Sequence, residues 1–200
     1  MDNDVMHRLS YGLFVLTARE GDKDNGCIVN TVMQVTSVPN QIVVGVNKAN
    51  YTHDMIVNTG LFNLSILTEK SSFDTYKHWG FQSGKNVDKI EKITYERSEN
   101  NLIYLTGETN AFLSAEVKKT INMGSHTLFI AEVTDGKMLS KEASVTYNYY
   151  QNHIKENPKT SEVKKGYICT VCGYIYEGET LPEDFICPWC KHPAEDFRKL

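Results

Sequence analysis

Short runs of apolar and β-branched residues, separated by turn residues, recur along most of the first 150 positions of the chain. Runs of about four to eight such residues between Gly, Pro and Asn clusters are typical of β-strands. We therefore predict strands at residues 13–17, 28–35, 41–47, 61–67, 102–105, 111–117 and 128–134. The polar segment 122–125, which contains Gly124, predicts a hairpin tip before the last strand.

Helical patterns are few and short. We predict helices at residues 5–11, 52–59, 71–79 and 147–155. Thr52 and Ser71 are expected N-caps, and Gly60 and Gly80 are expected stop signals. Many strands joined by a few helices predict a mainly β fold, either a closed barrel or a sandwich-like barrel, and periodicity alone does not choose the topology.

Charge and hydropathy exclude several function classes. No apolar run approaches the roughly 20 residues that a membrane-spanning helix needs. The net charge is −4, from 21 basic and 25 acidic residues without a basic block, which gives no reason to expect nucleic acid or an anionic membrane as partner. The acidic start, Met1-Asp2-Asn3-Asp4, lacks the basic and apolar regions of a signal peptide, so we expect a cytoplasmic protein.

Cysteine placement divides the chain. Four of the five cysteines lie within the last 32 residues. A segment this short does not build a stable core without a staple. A polar stretch with Pro158 and no apolar period precedes it. We therefore predict a first domain over residues 1–155, a linker over 156–166 and a small metal-binding domain over 167–200.

The four clustered cysteines form two C-x-x-C pairs. Cys169 and Cys172 make the first pair, Cys187 and Cys190 the second, and 14 residues separate them. Such pairs suit tetrahedral coordination of one metal ion by four thiolates. The spacing alone fits a structural zinc ribbon and a redox-active iron site equally well. Disulfides are not expected in a reducing cytoplasm.

A second candidate site follows the predicted strand 41–47. Neither a G-x-G-x-x-G fingerprint nor a P-loop occurs in the chain. Polar and cationic residues instead gather where this strand meets the next helix: Asn47, Lys48, Asn50, Thr52 and His53. A lysine, hydrogen-bond donors and a helix N-terminus together suit a phosphate group. The alternative is an ordinary capped turn whose polar groups are solvated.

The residues around the clustered cysteines carry a family resemblance. The run Cys169-x-x-Cys172-Gly173-Tyr174, the pair Cys187-Pro188-x-Cys190 and the closing segment 193–197 resemble a rubredoxin, in the short-spacer form that ends rubrerythrins. The resemblance implies one iron, bound by Cys169, Cys172, Cys187 and Cys190 and cycling between Fe³⁺ and Fe²⁺. Lys191 stands where rubredoxins usually have Gly, which puts the reduction potential in doubt. The segment 167–200 has six acidic and three basic residues, which predicts an acidic docking face.

Five blocks of the first domain resemble the flavin-reductase-like, FMN-binding split barrel family. The blocks are residues 11–17, 25–39, 46–53, 80–89 and 124–133. The resemblance implies a homodimer with FMN at the dimer interface. It implies a lining of the isoalloxazine ring by Asn30, Thr31, Val32, Met33, Gln34, Val35 and Thr36. It implies a phosphate site made of Asn47, Lys48, Asn50, Thr52 and His53.

No catalytic side chain is assigned with certainty, because hydride transfer between cofactors needs no acid–base residue. His126 has two interpretations. It borders the flavin and helps to position a nicotinamide, or it is a surface histidine of the hairpin.

The pair of domains resembles the high-molecular-weight rubredoxins of anaerobes, which are NAD(P)H:rubredoxin oxidoreductases that feed flavodiiron oxygen or nitric oxide reductases. The resemblance implies that NADH or NADPH reduces FMN, that FMN reduces the iron, and that a flavodiiron protein accepts the electrons. Three alternatives remain at this point. They are a flavoredoxin-type electron carrier, a ferric or flavin reductase that does not use the C-terminal domain, and a barrel carrying a zinc-bound interaction module.

Overall fold

A computed structural model of the chain describes residue 5 and residues 8–156, 165–170, 173–189 and 192–200. The strands of the first domain are β1 (Phe14–Glu20), β2 (Lys23–Val29), β3 (Val32–Ser37), β4 (Asn40–Asn47), β5 (Leu61–Leu67), β6 (Tyr95–Arg97), β7 (Ile103–Leu105), β8 (Thr109–Met123) and β9 (His126–Met138). Its helices are α1 (Tyr51–Thr59), α2 (Phe73–Gly80) and the short α3 (Tyr147–Tyr149), which continues as a π-helical turn, Tyr150–Ile154.

Seven strands form one antiparallel sheet in the order β2-β1-β5-β8-β9-β4-β3. The sheet curls so that β2 lies close to β4. The long hairpin β8–β9 turns at Gly124, whose φ of 73° is the left-handed conformation that favours glycine. The prediction of a mainly β, barrel-like fold with a few helices is confirmed.

The barrel encloses an apolar core. Leu16, Val44, Phe62 and Phe129 are fully buried there. Burial of each such side chain favours folding by roughly 1.5–3 kcal/mol. Helix α1 covers one side of this core with Met55 and Ile56, and it ends at Gly60, whose N–H donates to the carbonyl of Ile56 at 2.8 Å. The strands and α1 are therefore held together by a packed apolar interior.

A second apolar cluster lies outside the barrel, under α2 and α3. Tyr76 and Trp79 of α2 are buried in it together with Leu13 and Ile103. The ring of Tyr150 lies 4.4 Å from that of Tyr76, measured between centroids. This cluster fixes the end of α2 beside the end of β2.

The strand predicted at 28–35 is wrong in one respect. The structure ends β2 at Val29 and begins β3 at Val32, so that Asn30 and Thr31 form a break between two strands. The carbonyl of Thr31 accepts from the N–H of Gly45 at 2.9 Å, which holds the break against β4. The apolar pattern hides this break because β-branched residues continue through it.

The predicted helices are displaced by one or two residues. Helix α1 begins at Tyr51 with Asn50 as N-cap, and α2 begins at Phe73 with Ser72 as N-cap. Ser71, the expected cap, is instead buried, and its hydroxyl lies 2.6 Å from that of Tyr76. The helix predicted at 5–11 lies partly outside the described residues.

The C-terminal module comprises residues 165–200. Its strands β10 (Tyr167–Cys169), β11 (Ile175–Tyr176) and β12 (Phe197–Lys199) form a three-stranded antiparallel sheet in the order β11-β10-β12. A 3₁₀ turn, Ala194–Asp196, precedes β12. Most of the predicted linker, residues 157–164, lies outside the described residues, as do Cys172, Cys190 and Lys191.

None of the helices in the described part of the chain is long and apolar enough to cross a membrane.

Candidate functional site

A cavity of 560 Å³ opens between the barrel and the C-terminal module. Its volume lies within the range of about 300–1,000 Å³ that is usual for small-molecule sites. Its polar lining comes from the strand break, the end of β4 and the β8–β9 hairpin, namely Asn30, Thr31, Asn47, Asn50, Ser125 and His126. Its apolar lining includes Leu13, Val29 and Tyr150. We call it the large cavity.

The strand break shapes one wall of the large cavity. Thr31 donates from Oγ1 to Asn30 Oδ1 at 3.1 Å, and its side chain packs over Gly45. A Cβ at Gly45 would lie 3.1 Å from Thr31 Cγ2, closer than ordinary van der Waals contact. Glycine at this position therefore lets the break approach β4. The carbonyls of Asn30 and Thr31 accept from the N–H groups of Val32 and Gly45, so the N–H groups of the break are what it offers to a planar ligand.

Beside the large cavity lies a smaller one at the N-terminus of α1. Asn50, Tyr51 and Thr52 line it on one side, and Gly84 and Lys89 on the other. The first backbone N–H groups of a helix have no partner within the helix, and they favour an anion. The buried hydroxyl of Thr52 accepts from Asn25 Nδ2 at 2.9 Å and also forms a hydrogen bond with the Cys27 thiol. The arrangement suits a phosphate group.

Lys89 is a site residue that the sequence prediction missed. It is only 3% exposed, and Nζ donates to the carbonyls of Gly26 and Trp79 at 2.9 and 2.8 Å. Burial lowers the pKa of Lys89 to about 8. An ammonium group held this way has a strong electrostatic preference for a nearby anion. Lys89 belongs to the block 80–89 that resembles the flavin-reductase-like family, and this was the sequence feature that could have identified it. Its spacing does not distinguish it from the exposed lysines around it.

Two residues predicted for the phosphate site have protein partners elsewhere. Lys48 Nζ donates to Asn122 Oδ1 of the hairpin at 2.6 Å. His53 is buried, with Nε2 2.8 Å from Thr127 Oγ1, and it ties α1 to β9. Both side chains lie outside the lining of the two cavities. Of the predicted set, the structure brings Asn47, Asn50 and Thr52 to the cavities.

The predicted ring-binding run is divided by the fold. Asn30 and Thr31 line the large cavity, whereas Val32, Met33, Gln34, Val35 and Thr36 belong to β3. Val32 packs against the barrel core. Strand β3 is an edge strand of the sheet, and its Met33 and Val35 are 62% and 46% exposed. These two side chains form an apolar surface strip outside the cavity of this chain.

His126 lies at the large cavity. It is half-buried at the start of β9, with Nδ1 2.9 Å from Ser125 Oγ. Burial, and secondly the nearby His192, lower the pKa of His126 below its usual value. The imidazole is therefore neutral near pH 7, and it has one N–H donor and one acceptor for the polar edge of a ligand.

Cys27 also lines both cavities, and it is 4% exposed. Burial raises the pKa of the Cys27 thiol. The thiol therefore stays protonated near neutral pH, and Cys27 acts as a small apolar wall residue.

Two of the four predicted metal ligands, Cys169 and Cys187, are among the described residues, and they are buried together. Cys169 ends strand β10 and Cys187 lies between β11 and β12, and both are buried in one cluster with Tyr174 and Phe197. The N–H of Gly173 donates to the carbonyl of Cys169 at 2.9 Å, and Gly173 has a φ of 80°, so the chain turns tightly after the first ligand. Two buried thiols in a shared aromatic shell suit a soft metal ion such as iron or zinc.

Among the described residues, the ring of Phe81 connects the barrel to this cluster. Phe81, directly after α2, packs against the buried Cys169 and Cys187. Its ring is stacked on that of Trp189, at 6.4 Å between centroids and 12° between planes. Ile186, His192 and Pro193 of the module line the large cavity. The large cavity and the thiol cluster are therefore neighbours across a single layer of side chains.

Comparison with known proteins agrees with both halves of this site. The family described as Flavin reductase like domain matches residues 6–158, and the family described as Rubrerythrin, rubredoxin-like domain matches residues 167–198. The chain is 34% identical to the high molecular weight rubredoxin of Moorella thermoacetica over an alignment 229 positions long, which covers all of both chains.

Two further comparisons concern the barrel. The chain is 32% identical over 160 residues to the ferric-chelate reductase (NAD(P)H) of Archaeoglobus fulgidus, which covers 80% of this chain and 94% of that protein. The structure of the NADH:FAD oxidoreductase SgcE6 of Streptomyces globisporus C-1027 superposes with a TM-score of 0.64 at 19% identity, covering 71% of this chain and 84% of that one. The latter likeness shows the fold of the barrel. The chain therefore belongs to the flavin reductase like family, and it carries a C-terminal rubredoxin-like domain as the high molecular weight rubredoxin does.

Proposed function

We propose that the protein is an NAD(P)H:rubredoxin-type oxidoreductase, in which a flavin in the barrel passes electrons to an iron in the C-terminal module. The observation that carries this proposal is the wall that the two sites share. Ile186, His192 and Pro193 of the module line the same cavity as Asn30 and Thr31 of the barrel. Cofactors held on the two sides of that wall would be neighbours in one chain, which supports electron transfer between them.

The proposed flavin is FMN, with one phosphate. The flavin supplies two-electron chemistry with a nicotinamide and one-electron chemistry with a metal when it is bound. The large cavity takes the ring system, with backbone groups at Asn30 and Thr31 and the neutral imidazole of His126 around it. The smaller cavity takes a single phosphate between Asn50, Thr52 and Lys89.

Iron is the metal that completes the electron path. Four cysteine thiolates, Cys169, Cys172, Cys187 and Cys190, would bind it. Tetrathiolate iron changes by one electron, whereas zinc has no redox chemistry. A hydride from NAD(P)H brings two electrons and leaves NAD(P)⁺. Both electrons therefore leave through one iron in two single steps, and an acceptor protein reoxidises the iron after each step.

The proposal includes a homodimer formed through the barrel. The apolar strip on β3, made of Met33 and Val35, continues into Val38, which is 89% exposed. An edge strand with an exposed apolar face is a pairing surface. A second copy placed there would bring the β3 residues of the predicted ring-binding run to the dimer interface.

The proposed acceptor is a flavodiiron protein. Its docking face would be basic, because the segment 167–200 has six acidic and three basic residues. The proposed compartment is the cytoplasm, where thiols stay reduced and available for iron.

One observation favours a second candidate function. A relative that aligns with 80% of this chain is called ferric-chelate reductase (NAD(P)H). In that function the barrel would reduce a soluble iron chelate directly. A Cys187→Ser variant distinguishes the two functions. It would lose electron transfer to an acceptor protein and keep ferric-chelate reduction if the barrel alone reduces the chelate.

The absorption spectrum and metal content of the purified protein test the proposed function. We expect one FMN and one iron per chain, with a thiolate-to-Fe³⁺ charge-transfer envelope beneath the flavin bands. Cys187→Ser should remove that envelope and leave the flavin bands, while Cys27→Ser, a cysteine outside the cluster, should leave both. A protein with one zinc per chain after anaerobic purification would refute the electron path.

A further inference from the structure

The C-terminal module forms part of the wall of the large cavity. Ile186, His192 and Pro193 line the cavity on the module side, and Trp189 lines the smaller cavity next to Asn50. Every one of these residues lies within the segment 186–193, beside the ligand Cys187. One loop of the module therefore covers both the ring end and the phosphate end of the proposed flavin site.

Among the described residues, Phe81 joins the barrel to the module by stacking on Trp189 and packing against Cys169 and Cys187. A polar contact is the hydrogen bond from Lys155 Nζ to the carbonyl of Thr170 at 2.8 Å. Trp189 is still 46% exposed and Ile186 53% exposed. A small interface that leaves its apolar side chains half in water is typical of domains that separate readily.

A nicotinamide needs the space that the module fills. Hydride transfer requires the reacting atoms to approach within about 3–3.5 Å, so the nicotinamide has to lie against the exposed face of the flavin ring. Ile186 and Pro193 of the module form one side of the 560 Å³ cavity. A nicotinamide placed against a flavin ring in this cavity would compete with the module for that side.

We propose that the C-terminal module and NAD(P)H bind in turn to one surface at the mouth of the flavin cavity, and that Phe81 positions the module there. The inference rests on the proposed function. With the module away, NAD(P)H gives a hydride to the flavin and leaves as NAD(P)⁺. With the module docked, the iron takes one electron at a time from the reduced flavin. Reduction and reoxidation of the flavin therefore exclude each other within one chain.

Equilibrium binding of NAD⁺ and NADP⁺ to the oxidised holoprotein tests this inference, because these nucleotides bind without transferring a hydride. Phe81→Ser and Trp189→Ser each remove one side of the stacked pair. If the module is docked in nine molecules out of ten, only one in ten can bind the nucleotide. Abolishing docking then strengthens the apparent nucleotide affinity about tenfold. The effects of the two changes should not be additive in the double variant, because either change alone already removes the stacked contact. Val57→Ser, a change at an exposed apolar residue of α1, is the matched control.

A second readout separates positioning from general damage. In the same two variants, transfer from dithionite-reduced flavin to iron should slow in a single turnover, measured on protein loaded with one iron and one flavin per chain. Nucleotide affinities that are unchanged in fully loaded variants, or nucleotides that fail to bind the variants, would overturn the inference. If neither NADH nor NADPH reduces the flavin of the unaltered protein, the proposed function itself fails, which is a different result.

Discussion

Lys89 shows how a single side chain gives the site its charge. The ammonium group is buried with two carbonyl partners and a cavity in front of it. The cost of burying this charge is offset when a phosphate enters, because an anion restores the interactions that the ammonium group lost on leaving water. The same residue also illustrates a limit of sequence reasoning. Its environment is built by Gly26 and Trp79, which lie 63 and 10 residues away along the chain.

The lowered pKa of Lys89 predicts a pH dependence of stability. In the flavin-free protein, the folded-state pKa of about 8 lies below the reference value of 10.5. The unfolded chain therefore holds more protons between these values, and the free energy of unfolding rises with pH in this window. Relative to Lys89→Met, the unaltered protein should gain roughly 2–3 kcal/mol between about pH 7 and about pH 10.

Urea denaturation of the flavin-free protein at several pH values measures this difference. Lys92→Met, a change at an exposed lysine three positions later, is the matched control for loss of a lysine side chain. A constant difference between Lys89→Met and the unaltered protein would mean that Lys89 titrates normally, and it would remove the charge argument for the phosphate site.

Other single residues were predictable in part. Asn30, Thr31, Asn47, Asn50 and Thr52 were named from resemblance, and the structure brings all of them to the two cavities. Lys48 and His53 share the same sequence block, but tertiary hydrogen bonds direct their side chains to Asn122 and Thr127. A spacing pattern does not contain those partners, since they lie more than 70 positions away.

At the scale of elements, the strand break matters most. An unbroken run over 28–35 would place Asn30 and Thr31 inside a ladder, with their backbone groups paired. The actual break between β2 and β3 takes their N–H groups out of the ladder, while their carbonyls accept from Val32 and Gly45. The sequence predicted the presence of most strands because apolar runs bounded by turns define them. It did not predict the break, because the pairing of Thr31 with Gly45 is a long-range contact.

Strand β3 carries an element-scale prediction. Val35→Lys places a charge in the apolar strip of this edge strand, which should prevent a second copy from docking. We expect the dimer fraction, measured by light scattering after size-exclusion chromatography, to fall at least tenfold. Flavin affinity should weaken with it if the interface completes the ring site.

The control for this substitution is Val57→Lys on α1, where the unaltered side chain is 55% exposed. It should leave the oligomeric state and the flavin affinity unchanged. A dimer that persists in Val35→Lys would show that β3 is not the pairing surface, and it would separate the predicted ring-binding role of residues 32–36 from dimer formation.

The chain combines two candidate redox sites that exchange different numbers of electrons per step. The barrel supplies a cavity for a cofactor that exchanges electron pairs, and the module supplies thiolates for a metal that exchanges single electrons. Cysteine spacing predicted the second unit directly, because C-x-x-C pairs report their chemistry locally. The contact of Phe81 with the thiol cluster was not predictable, since no local pattern links residue 81 to residues 169 and 187.

Anaerobic stopped-flow absorption with NADH and NADPH tests the central claim most directly. After mixing with the effective nucleotide, we predict that the flavin bands bleach first and that the thiolate-to-Fe³⁺ band bleaches afterwards in the same protein, at a rate independent of protein concentration. Independence of concentration is expected because the electron moves within one chain or one dimer. An iron band that persists beside a fully reduced flavin would contradict the account.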